Sequence, residues 1–171
     1  MARTANMLDL RIVRDSQPTD VPTSLRAVEG DTFNVGALLT EVEGNHAAVL
    51  DADIDENVVG PVSFIALEAS AGGAAETFTA CRIKSTTRLV GQMYSGIADE
   101  DDVGKQGILT YDATTGRYMV NLTATAVPSI QVTSVDIVTT PFDPAAAEAY
   151  NLVEFKFLDT VLDVAPAGVS S

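Results

Sequence analysis

Apolar residues in this chain recur at a period of two, in runs too short to build long helices. The clearest case is residues 152–158, where Val153, Phe155 and Phe157 alternate with Glu154 and Lys156. A strand sends successive side chains to opposite faces, so this spacing predicts a half-buried strand near the end of the folded chain. Residues 107–111 and 117–122 flank Asp112-Ala-Thr-Thr-Gly116, a five-residue connection ending in glycine. It predicts a hairpin with a left-handed residue and a bulge at Gly116. Along 129–139 the alternation of Ile130 and Val132 skips to Val135 and Ile137. A phase slip of one residue is what a β-bulge produces, so a bent strand is expected there.

Similar reasoning covers the rest of the chain. Residues 32–35 and 37–42 read as strands, Glu43-Gly44-Asn45 as a turn and 47–50 as the return of a hairpin. The run 58–67 contains Gly60-Pro61, and because proline cannot donate to a ladder it predicts an edge strand or a bulge. SAGGAA, at 70–75, reads as a flexible loop; 77–83 and 87–94 read as a pair of strands across a polar turn at Lys84-Ser85. Asp143 as N-cap, Pro144 at the first helical position and Glu148 predict one short helix over 144–150. The expected fold is all-β: a small β-sandwich, or a β-tulip or barrel-like domain, with an extended N-terminal arm and that one short helix near the C-terminus. Jelly-roll and immunoglobulin-like topologies fit the strand count about as well. Two prolines in SQPTDVPT, at 16–23, mark an extended connector. The expected organisation is an arm over 1–26, a β-rich domain over 27–164 that reads as one module or as two (27–95 and 96–164), and a frayed tail over 165–171.

Size and charge then limit what such a fold can do. A chain of 171 residues, 46% hydrophobic and 20% charged, belongs among globular proteins. It can bury roughly 70% of its unfolded surface without staples. Ten Lys and Arg against 24 Asp and Glu give a net charge of -14, which repels phosphate backbones, so no nucleic-acid partner is expected. Residues 27–80 contain no Lys or Arg, whereas 1–26 hold Arg3, Arg11, Arg14 and Arg26. Cys81, the single cysteine, can form neither an internal disulfide nor a zinc site and reads as a small core residue. Charges interrupt every apolar run of MARTANMLDLRIVRD, and no stretch approaches the roughly 20 apolar residues of a membrane span. A cytoplasmic start and no membrane partner are therefore expected.

Each candidate site has a plainer reading beside it. His46, the one histidine, falls at the Gly44-Asn45-His46 turn with no nucleophile motif nearby and reads as a polar loop residue. Asp51, Asp53 and Asp55 begin like a calcium loop, but Glu56 stands where its glycine is needed and Val62 where its last carboxylate belongs. Asp99, Glu100, Asp101 and Asp102 could hold a cation or serve a glycosidase cleft, yet four adjacent acids more often stay solvated. SAGGAAETF lacks the lysine and spacing of a phosphate loop, and Asn121-Leu-Thr123 matches a glycosylation acceptor inside a strand end. No catalytic residue, metal ligand or cofactor is assigned, and the chain is not expected to be an enzyme. The arm carries the one contact expectation: Leu8, Leu10 and Ile12 alternate with Asp9 and Arg11, and Arg14 follows. Such a segment either adds to the exposed sheet edge of a partner or forms the first strand of its own sheet.

Residues 24–64 have a distinct rhythm: a Gly-anchored turn, the short apolar strand Val35-Gly36-Ala37-Leu38-Leu39, a strand ending in acids, then Val58-Val59-Gly60. Asp102-Val-Gly-Lys-Gln-Gly107 running into ILTYD echoes it. In this the chain resembles the small β-rich head decoration, or cement, proteins of tailed bacteriophages. The resemblance implies a structural virion protein, made in the host cytoplasm, that sits on the outer capsid surface as a homotrimer. There it would bridge neighbouring copies of the major capsid protein, with the terminal arm (Leu8, Leu10, Arg11, Ile12 and Arg14) making contact. The alternative is a carbohydrate- or surface-binding β module of a phage tail or fibre, which would gather exposed aromatics on one face.

Overall fold

The computed structural model describes residues 10–15, 22–48, 53–55, 61–96, 98–135 and 151–162. These residues are all-β, with thirteen strands: β1 (Arg11–Asp15), β2 (Thr23–Arg26), β3 (Thr32–Phe33), β4 (Leu38–Val42), β5 (Asn45–Ala48), β6 (Phe64–Ala66), β7 (Ser70–Ala71), β8 (Thr77–Arg82), β9 (Thr87–Gln92), β10 (Gln106–Asp112), β11 (Arg117–Asn121), β12 (Ile130–Ser134) and β13 (Leu152–Phe157). Single 3-10 turns cover Glu100–Asp102 and Asp159–Val161. The expected helix over 144–150 lies outside the described residues.

Two antiparallel sheets organise the chain. The smaller has the order β2-β8-β6-β4-β5 and the larger β1-β9-β13-β12-β10-β11, while β3 and β7 pair separately. Both sheets curl. In the smaller, Ala27, just past β2, bridges His46 of β5, so its two edge strands meet. In the larger, Met93, just past β9, bridges Val120 of β11, bringing distant strands of the sheet together. Closing a sheet in this way reduces the length of unpaired edge.

Period-two alternation feeds two cores from the same strands. Leu39, Phe64, Ala66, Phe78 and Ala80 fill the smaller sheet with Phe33 and Ala27. Their neighbours Leu38, Ile65, Cys81 and Ile83 face the other way and join Leu89, Leu109, Val120, Ile130, Phe155 and Phe157 in the larger core. The sheets change over at the Lys84–Thr87 turn, closed by the Thr87 amide on the Lys84 carbonyl and the Lys84 amide on Thr87 Oγ1. Further ties between them come from Val62, whose amide donates to the Val161 carbonyl at 2.7 Å.

Local expectations meet this architecture unevenly. The 38–48 hairpin forms with Val42 opposite Asn45, so its loop is the pair Glu43-Gly44, both at positive φ (48° and 80°). The 106–121 hairpin forms too, with Gly116 at φ +67°, but its register runs from Ile108↔Asn121 to Asp112↔Arg117 without a bulge. The bulge expected in the 129–139 strand is present between Val132 and Ser134. In β13 Val153, Phe155 and Phe157 are buried while Glu154 and Lys156 are partly exposed. Two expectations are corrected. β6 is the middle strand of its sheet, not an edge, because Pro61 lies ahead of the strand and its missing N–H takes no ladder position. β8 and β9 do not pair with each other but belong to different sheets, so the turn between them is a corner instead of a hairpin. Within SAGGAA, Ser70 and Ala71 are a short strand paired with β3.

Three strands converge at Gly107, which pairs with Ile130 of β12 and whose missing Cβ would overlap the Asn121 carbonyl of β11. A backbone atom cannot swing aside as a side chain can. Gly107→Ala is therefore expected to cost about 3 kcal/mol, the upper end for overpacking. Gly73→Ala, where a Cβ would stand 3.5 Å from Glu76 Oε2, should change stability by less than about 0.5 kcal/mol. Urea midpoints of the two variants test this, and a Gly107→Ala protein as stable as the parent would contradict the close approach.

Candidate functional site

The residues of the expected contact arm take up the edge of the larger sheet. Leu8 lies outside the described residues. Leu10 is 4% exposed and belongs to the larger core, with Ile12 packed against that core. A Cβ at Gly91 would stand 2.9 Å from Leu10 Cδ2, so the glycine makes room for this leucine. Arg11 and Arg14 lie on β1, opposite Val90 and Arg88 of β9, with a register shift between Ile12 and Arg14. The segment thus forms the first strand of the chain's own sheet, and among the described residues β1 pairs on one side only. Leu10→Ala should cost about 2–4 kcal/mol by loss of buried volume, as measured by chemical denaturation. A loss under about 1 kcal/mol would mean that Leu10 contributes little to the core.

Several acidic side chains are turned onto the chain's own backbone. Glu76 accepts hydrogen bonds from the amides of Ala71 and Gly73, the latter at 2.8 Å, and from Ser70 Oγ. These bonds, the Ala71 amide foremost, hold its carboxyl below the ordinary 4.5. Asp31 accepts from the Ala48 amide at 2.7 Å. Asp99 and Asp102 form a reciprocal cap on the Glu100–Asp102 turn, and Lys105 Nζ donates to Asp102 Oδ1 at 2.7 Å. That bond is the main reason the Asp102 carboxyl lies below, and the Lys105 ammonium above, its ordinary value. Asp112 accepts from Thr115 Oγ1 and the Thr114 amide, which lowers its pKa as well. Asp53 accepts from the Tyr111 amide while Ile54, fully buried, exchanges two backbone hydrogen bonds with Leu109. Residues 53–55 of the segment that begins like a calcium loop are thus docked beside β10. Among the described residues no group of three or more His, Cys, Asp or Glu is placed to hold a metal ion.

The remaining candidates are structural. His46 is corrected from a polar loop residue to a buried one, 7% exposed on β5, with its ring edge-on to Phe64 at 5.1 Å. The sequence placed it in the turn because the hairpin loop is two residues shorter than expected. Cys81 is buried in the larger core. Asn121 is 9% exposed and its Nδ2 donates to Thr110 Oγ1, so the glycosylation match falls on a packed amide. The described phenylalanines are all buried, and Tyr94, 50% exposed, is the most exposed described aromatic residue. Sequence reasoning missed one feature, a cleft of about 320 Å3 between the 84–86 turn and the end of β13, whose walls carry Arg88 and Lys156. The two lie 68 positions apart, and only the β9–β13 pairing joins them.

Together these features define an acidic all-β protein of two curled sheets in which several carboxylates hold the chain's own turns. No protein-family model, no curated protein and no solved structure matches the chain. No helix among the described residues is long and apolar enough to cross a membrane.

The lowered carboxyls set a pH dependence. A group whose folded pKa lies below its unfolded one contributes stability above the unfolded value and loses it as pH falls through the folded one. For Glu76, Asp102 and Asp112 the loss therefore begins near pH 4.5 and continues below 3.8. Denaturant midpoints should be level from pH 5 to 7 and fall below about 4.5. Glu76→Gln should lower the plateau and make the acid fall shallower; an unchanged slope would remove Glu76 from this account.

Proposed function

We propose that this chain is a structural virion protein that binds the outer surface of an icosahedral phage capsid as a homotrimer and bridges neighbouring copies of the major capsid protein. The observation that carries the reading is β1, an edge strand paired on one side only among the described residues and fed directly by the N-terminal segment. Its free side offers backbone donors and acceptors to an extended segment of a partner. Arg11 and Arg14 on that strand add positive charge at the edge of a protein of net charge -14. The acidic body suits a surface facing water, where repulsion opposes aggregation.

Such a protein acts without making or breaking a covalent bond. A ligand that binds only the assembled lattice favours the assembled lattice by mass action.

Light scattering of the purified protein, followed by cosedimentation with expanded, undecorated phage heads, tests the reading. Because β1 and Leu10 are part of the fold, the variant to compare is Arg11→Glu/Arg14→Glu, which keeps the strand, and not a deletion. Saturable binding by a trimer, weakened about tenfold or more in the variant, is the expected outcome. A monomer that binds no head lattice would sink the proposal, and a glycan array would then examine the tail or fibre module.

A further inference from the structure

We propose that the cleft between the 84–86 turn and the end of β13 is an oxyanion site that takes a carboxylate from an acidic protein segment. The cleft gathers positive charge. The chain has only ten Lys and Arg, yet the β1–β9 register sets Arg14 opposite Arg88. The β9–β13 register, continued one residue past Leu89↔Phe155, sets Lys156 opposite Arg88 as well. Like charges directly opposite one another destabilise a sheet. Arg88 and Lys156 thus set two cationic side chains side by side on adjacent strands, an arrangement that an anion relieves.

Its walls also leave hydrogen-bonding groups unmet. Arg88 Nη1 and Thr86 Oγ1 are buried and have no hydrogen-bond partner. The ion pair of Arg88 with Glu154 is loose, Nε to Oε1 at 3.8 Å, and that same oxygen accepts from Thr133 Oγ1 at 3.0 Å. The guanidinium therefore keeps donors to spare. A buried donor without an acceptor is costly, and more so when charged. Lys156 stands on the same wall, and Ser85 and Thr86 bring hydroxyls to it.

Neighbouring acids select the ligand. Asp159 is also on the wall, and Glu154 lies beside Arg88. Two fixed negative charges disfavour a dianionic phosphate more than a monoanionic carboxylate. A carboxylate also matches the planar fork of an arginine. About 320 Å3 accommodates an Asp or Glu side chain with its flanking backbone. Two sources share this chemistry, the exposed Glu100 and Asp101 of a second copy and an acidic segment of another protein. The site stands apart from the capsid reading, since it is read from the free chain.

The test is an NMR titration of the full chain with two probes, a capped peptide of sequence ADEDDVG (residues 98–104) and inorganic phosphate. The peptide should shift the amides of Ser85, Thr86, Arg88 and Lys156 saturably, and Arg88→Gln and Lys156→Gln should each weaken it about tenfold. The same spectra report whether each variant is folded. No saturable shift at these residues up to about 10 mM peptide, ten times a millimolar Kd, would overturn the site. Phosphate binding there more tightly than peptide would overturn the carboxylate assignment. With peptide binding established, light scattering separates the sources. A smaller particle for Glu100→Lys/Asp101→Lys than for the parent assigns the carboxylate to a second copy, and an unchanged one assigns it to another protein.

Discussion

Where β4, β6 and β8 run side by side, both faces of the sheet are dry. Leu38, Ile65 and Cys81 lie in one cross-strand row facing the larger core, while Leu39 and Phe64, and Ala66 and Ala80, pair on the opposite face in the smaller one. Everything else is arranged around this shared wall. The smaller sheet curls because its second face needs filling from Ala27, Phe33 and Phe78. The larger sheet lies against the first because Ile65 and its neighbours would otherwise be wet. Truncating one large side chain in such a wall costs about 2–5 kcal/mol, and the cavity is felt in the core it opens into. Neither sheet is an independent body.

A net charge of -14 would work against so compact a chain if the carboxylates simply repelled one another. Several do not, because they accept backbone amides at turns where the ladder leaves donors unpaired. Glu76 gathers the glycine-rich connection after β7, where Gly72 at φ +80° approaches the Gly30 backbone too closely for a side chain. Asp99 and Asp102 cap one turn and Asp112 another. Acidity here is partly a way of building loops, and it leaves the few cations conspicuous.

Much of the fold was legible wherever local geometry decides the outcome. The period of two gave the all-β class, the Glu43-Gly44 and Gly116 turns located two hairpins, and the skipped step after Val132 marked a bulge. What stayed illegible depends on partners far along the chain. That β6 is central, that β8 and β9 part company, and that Leu10 fits the space left by Gly91 are facts of sheet order, on which alternation is silent. His46 shows how small the margin is, since a loop shorter by two residues moved it from solvent to the core. Of the site, β1 was visible as an alternating segment, but the meeting of Arg88 with Lys156 was not, because neither residue has a motif around it.

The order of strands in the larger sheet has a consequence for how the molecule comes into being. Of the described strands β13 is synthesised last, yet it lies between β9 and β12, and β1 is synthesised first, yet it pairs with β9. A nascent chain emerging from the ribosome can close its local hairpins but cannot assemble this sheet until residue 157 is free. Until then β9 and β12 face each other across an empty place, and their apolar residues are exposed. Contacts of such long sequence separation slow folding. The birth of this protein is therefore a waiting period, during which it depends on solubility that its surplus of negative charge can supply.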